Sequence, residues 1–95
     1  MNLRDYARGK PCLVRTSVCD GGGDTTVLAH IRLSGISGMG LKAPDLLGAW
    51  ACSCCHQLCD SGQFNGHELS RHERELLLYK GMARTIHQLI KDGVV

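Results

Sequence analysis

The sequence predicts a small α+β domain, and three observations carry that prediction. Two short runs rich in β-branched or apolar residues, "TTVLAHIRL" (25–33) and "LLGAWACS" (46–53), read as a pair of strands. The cysteine-rich stretch "ACSCCHQLCD" (51–60) follows the second run directly and reads as the start of a short helix. Residues 67–92 carry the three-and-four spacing of an amphipathic helix.

Taken in chain order, the 95 residues form one domain with three parts. Residues 1–11 read as an irregular basic arm, closed by Pro11, which blocks regular structure. Residues 12–62 hold a cysteine knuckle and the strand–strand–helix unit. "CLVRTSVC" (12–19) suits a strand or a knuckle, and "DGGGD" (20–24) is a turn. Between the strands lies "SGISGMGLKAPD" (34–45), a glycine-containing loop long enough to suggest a functional role. Ser53 is the expected cap of a helix over 54–61, and Gly62 its stop. Over 67–92, Leu69, Leu76, Tyr79, Ala83, Ile86 and Ile90 form one apolar stripe, and Gly81 is a candidate break into two helices. That stripe suits either of two uses: closing the chain's own core, or pairing with a second copy as a homodimer.

Only four aromatic residues (Tyr6, Trp50, Phe64, Tyr79) are present, so a large aromatic core is excluded and an additional staple is expected. The opening "MNLRDYARGK" is charged and lacks the apolar run of a signal peptide. No stretch approaches the roughly 18 apolar residues of a membrane span. A cytoplasmic setting is therefore expected, with no membrane partner, and in that reducing compartment six cysteines favour metal over disulfides. Net charge is +2, with five Lys/Arg against three Asp in residues 1–32, so any preference for phosphate sits in the N-terminal third.

Cys52-x-x-Cys55 has the spacing of half a tetrahedral zinc site. Cys12 and Cys19 are the candidates for the other half, although their C-x6-C separation is wider than usual. A structural Zn²⁺ there would couple on the order of 10 kcal/mol of binding free energy to folding. A thioredoxin-like use of the CxxC fits poorly, because no βαβ pattern accompanies it. Cys54 and Cys59 read as small hydrophobes, with Cys59 a substitute ligand one helical turn beyond Cys55. His56 and Asp60 are four apart and share a helix face, a pairing that suits a divalent cation. His30, late in the first strand, is a candidate general base. "HELSRH" (67–72) places its histidines five apart, on different helix faces, so it is not a zinc-protease motif.

"AHI" on one strand, a glycine-containing loop, and "DLLGAWACSCCH" running into a helix together resemble the HNH, or ββα-metal, nuclease finger. Over nearly the whole chain, "KPCLVRTSVCDG", "TVLAHIRLSG" and "GLKAPDLLGAWACSCCH" resemble short prophage proteins of the YbcO type, which are regarded as nucleases. The resemblance implies a metal-dependent endonuclease hydrolysing phosphodiester bonds in DNA. It implies His30 as general base, Asp45 in the middle position of the motif, and His56 with Asp60 holding Mg²⁺ or another divalent cation. Cys12, Cys19, Cys52 and Cys55 would hold structural Zn²⁺, and Arg32 and Lys42 would steady the phosphate backbone. Two positions depart from the family pattern: Ala29 stands where many members carry a metal ligand, and Asp45 replaces the commoner Asn. The rival expectation is a zinc-stapled DNA-binding or phage accessory protein without catalysis.

Overall fold

The computed structural model describes residues 2–33 and 44–95. Among them, β1 (Val27–His30) and β2 (Gly48–Ala51) form an antiparallel pair, with His30 opposite Gly48 and Leu28 opposite Trp50. Helix α2 (Ser53–Ser61) begins after a single residue, Cys52, that follows β2. The order β1–β2–α2 therefore matches the expected strand–strand–helix unit, within a small α+β architecture. The glycine-containing loop expected at 34–45 lies mostly outside the described residues.

Before this unit comes a short helix, α1 (Leu3–Tyr6), where an irregular arm was expected. Asn2 caps it by accepting from the backbone of Arg4 and Asp5, a local bond that an N-terminal Asn makes readily. Ala7 is fully buried beside it, and the Tyr6 ring lies 6.1 Å from that of Trp50. The arm is thereby part of the second core cluster, with Leu13, Trp50 and Leu89. "CLVRTSVC" is a knuckle rather than a strand: Arg15 adopts a left-handed φ of 58°, which no strand continues through.

Two corrections concern the second half. Residues 63–68 form a two-stranded hairpin, β3 (Gln63–Phe64) and β4 (His67–Glu68), turned by Asn65 and Gly66 at positive φ. Asn-Gly is the preferred pair for such a turn. His67 thus lies on a strand, bonded to Ser17, and not on a helix surface. Helix α3 (Arg71–Lys91) then runs 21 residues without a break. Ser70 and Glu73 cap it reciprocally, which fixes its start.

Gly81 does not interrupt α3; it is what lets α3 reach the sheet. A Cβ there would lie 2.8 Å from Val14 Cγ2 and 3.2 Å from Ala49 Cβ. Thr85 completes the seam. Its hydroxyl accepts from the backbone N–H of Trp50 at 3.0 Å and donates to the carbonyl of Gly81 at 2.8 Å. Since the N–H of Leu13 donates to the Trp50 carbonyl, both outward backbone groups of Trp50 are satisfied. The core face of α3 is accordingly Gly81, Thr85 and Leu89, flanked by Leu77, Leu78 and Met82. The apolar stripe, for which closing the core was one of two expected uses, is on the opposite side, with Leu76 54% and Ile90 57% exposed and Leu69 outside the helix.

Candidate functional site

Four sulfurs meet beside the β1–β2 pair. The Sγ atoms of Cys12, Cys19, Cys52 and Cys55 all lie within 4.8 Å of one another, and no disulfide joins them. A tetrahedral ion with Zn–S of about 2.3 Å needs sulfurs roughly 3.8 Å apart, so the cluster is of the right size to hold a metal ion. Two short pieces of backbone build it. Cys52 follows β2 and serves as N-cap of α2, its sulfur accepting from the N–H of Cys55 at 3.3 Å. The N-cap is therefore Cys52 and not Ser53. Across from it, the turn after Cys12 aims the backbone N–H groups of Val14 and Arg15 at the Cys12 sulfur. Gly21 does the same for Cys19, at 3.3 Å.

These bonds favour thiolates, but not four at once. A hydrogen bond from the Cys55 thiol, helped by backbone donors, holds the Cys12 thiol down to about 4. The same bond, with burial, pushes the Cys55 thiol far up, and burial raises Cys19. One negative sulfur thus gathers protonated neighbours, and a divalent ion would replace their protons. Cys59 stands outside the cluster, pushed up to about 11 by burial, and packs with Cys54 against the core. That is the small-hydrophobe role expected of both.

Sequence reasoning missed two supports of this cluster. Thr16 is buried and its backbone N–H and hydroxyl both approach the Cys55 sulfur, at 3.4 and 3.0 Å. Asp20 ties the glycine turn to the site: its carboxylate accepts from Gly22 N–H at 2.8 Å and from Thr25, and lies 3.9 Å from Cys54 Sγ. Gly22 has φ of +86°, and a Cβ there would collide with the backbone nitrogen of Cys12, so only glycine lets the turn close over the knuckle. An Asx-type turn at Asp-Gly-Gly was the readable signal.

A second constellation lies at the other end of the strands. His30 ends β1, and its Nε2 is 2.7 Å from Asp45 Oδ1. The bond between Ile31 N–H and Leu47 carbonyl extends the hairpin past His30, and the turn Pro44–Leu47 swings Asp45 back over the histidine. A carboxylate only accepts, so Nε2 is the donor, and Nδ1 is the acceptor when the ring is neutral. Arg4 of α1 lies 3.5 Å from the other Asp45 oxygen. His30 is partly buried, with 21% of its side chain exposed.

The remaining expected site residues are placed differently. His56 is exposed on the first turn of α2, and Asp60 is exposed one turn later. The Asp60 carboxylate is paired with Arg32, so these two candidates meet each other. Among the described residues the four cysteines are the one group of three or more such side chains close enough to hold an ion; His30, Asp45, His56 and Asp60 do not form another. Ala29 is buried in the core with Cys12, Val14 and Ala49. Lys42 lies outside the described residues.

The arrangement has known relatives. A family model described as "Putative nuclease YbcO" matches residues 1–94. The chain belongs to the YbcO family. The YbcO protein of Escherichia coli K12, named "Putative nuclease YbcO", is 43% identical over 99% of this chain and 96% of its own length. A protein of Enterobacteria phage 82 with the same description matches equally well. A solved structure described as "a putative bacteriophage protein" from E. coli K-12 superposes with a TM-score of 0.75 at 35% identity, covering 97% of this chain and all of that one. The YbcO resemblance read from the cysteine and histidine motifs thus extends along the whole chain. No helix among the described residues is long and apolar enough to cross a membrane.

Proposed function

We propose that this chain is a metal-dependent endonuclease that hydrolyses phosphodiester bonds in DNA, with His30 as general base. The observation that supports it best is the His30–Asp45 pair. A carboxylate that accepts from Nε2–H leaves Nδ1 of the neutral ring as the proton acceptor, which is the preparation a base needs before it takes a proton from water. Arg4 in turn holds the Asp45 carboxylate from its other oxygen. The names of the YbcO relatives agree with nuclease chemistry.

Zn²⁺ is the ion that best suits four sulfurs with no water-bearing ligand among them, and its role is structural. His56 and Asp60, one turn apart on the exposed face of α2, are the residues that would hold a Mg²⁺ or similar cation. A cation bound there would polarise the scissile phosphate and steady the leaving oxygen. Arg32 then has two roles: it holds Asp60 in the free protein and is available to a phosphate when Asp60 is otherwise engaged. Lys42 is the second proposed phosphate contact.

The buried position of Ala29 and the Arg32–Asp60 pair favour one rival, a zinc-stapled DNA-binding protein without catalysis. Supercoiled plasmid incubated with Mg²⁺, Mn²⁺ or EDTA separates the two. Metal-dependent nicking that falls at least about 100-fold in His30→Ala is the expected result. Binding without nicking under every ion, or nicking undiminished in His30→Ala, would overturn the proposal.

A further inference from the structure

Helix α3 carries two apolar stripes, and the fold uses one. Gly81, Thr85 and Leu89 face the core. Leu76, Tyr79, Ala83, Ile86 and Ile90 lie on the other side, with Leu76 and Ile90 more than half exposed, Ala83 exposed, and Tyr79 and Ile86 half-buried. Ala83 is two residues from both Gly81 and Thr85, which at about 100° per residue sets the stripes nearly opposite. No rotation of α3 buries both against β2. Other exposed apolar side chains, such as Val27, Leu33 and Leu46, are not part of this stripe and need no explanation singly.

The outer stripe has coiled-coil spacing. Steps of three and four place Leu76, Ala83 and Ile90 at a positions and Tyr79 and Ile86 at d positions. Glu75 then falls at g and Lys80 at e, five residues apart, which is the separation that joins opposite charges across two parallel helices. In an antiparallel pair crossing at Ala83, Lys80 would face His87 instead of a carboxylate. The Arg71–Glu75 pair within one helix is exposed and exchanges at little cost.

We propose that this face docks a second copy of the chain, α3 against α3 in parallel, with Glu75 reaching Lys80 of the partner subunit. Such a contact is isologous and closes as a dimer. A helix of 21 residues is about 31 Å long. Two of them side by side bury on the order of 1,000 Å² in total, the lower edge of specific interfaces, so the dimer forms in a concentration-dependent way. The helix is already folded on β2, and association bears no nucleation cost.

Sedimentation equilibrium over about 1 to 200 µM, a range that brackets an interface of this size, tests the proposal. Twice the monomer mass at the upper end is expected, with the monomer retained throughout by Leu76→Glu and Ile90→Glu. Both side chains are mostly exposed, so circular dichroism and melting of these variants should match the parent. Glu75→Lys or Lys80→Glu alone should weaken pairing roughly threefold to tenfold, and the two together should restore it. A monomer at every concentration, a dimer indifferent to both glutamates, or a double charge swap no better than the singles would each overturn the proposal.

Discussion

Loading the four-cysteine cluster should release protons, and the surroundings of its thiols say how many at least. At neutral pH the Cys12 thiol, held down to about 4, is ionised, while Cys19 and Cys55 are both pushed up and keep their protons. An ion coordinated by thiolates alone must expel those two at a minimum. Apparent zinc affinity should therefore rise by at least about two log units per pH unit between roughly pH 5 and 8, bounded below by Cys12 and above by ordinary thiol ionisation. From pH 6 to pH 7 that is about 100-fold, or about 2.7 kcal/mol of added stability for the loaded fold. The sign follows from the unloaded state holding more protons: raising pH favours the loaded one. Competition against a coloured chelator at half-unit pH intervals measures the slope, and proton release into a weakly buffered indicator solution gives the count directly. A slope of one or less would refute the reasoning, because it would mean that the cluster already stores its thiolates or that fewer than four sulfurs bind.

Two further outcomes follow from single hydrogen bonds. Thr85→Val keeps shape but leaves the buried N–H of Trp50 without its acceptor, and should cost about 1–3 kcal/mol in urea unfolding. The Tyr6 hydroxyl donates to Asp92 at 2.7 Å, holding the Asp92 carboxyl below its ordinary value, chiefly through that bond. A depressed folded value gives stability that is present above the ordinary carboxylate range and lost as pH falls through the depressed one. The difference in melting temperature between the parent and Tyr6→Phe should thus be constant over pH 5–8 and shrink below about pH 4.

The parts of the fold with period or spacing were legible. The β-branched run around His30 and the CxxC at the end of the second apolar run place β1, β2 and α2 within two or three residues of where they lie. The four-cysteine group was also readable, although C-x6-C is wide, because the glycine turn after Cys19 folds that segment back over the knuckle. What misled was α3. Its core side holds a glycine and a threonine at the closest approach, so the more hydrophobic stripe is the outer one, and hydropathy alone picks the wrong face. The capping box at Ser70 and Glu73 would have set the helix start, and Asn65-Gly66 the hairpin. Asp45 was identified by its place in a motif, but its bond to His30 depends on a turn whose direction no local pattern states.

Cys52 is the only residue between β2 and α2, and its side chain is both the cap of the helix and a member of the sulfur cluster. The angle between hairpin and helix therefore has a single hinge, and that hinge is locked from two sides. Whatever α2 presents on its outer face, His56 and Asp60 included, is aimed by the same corner that the cluster holds. A one-residue insertion beside Cys52 would turn the helix by about 100° and redirect every side chain on it.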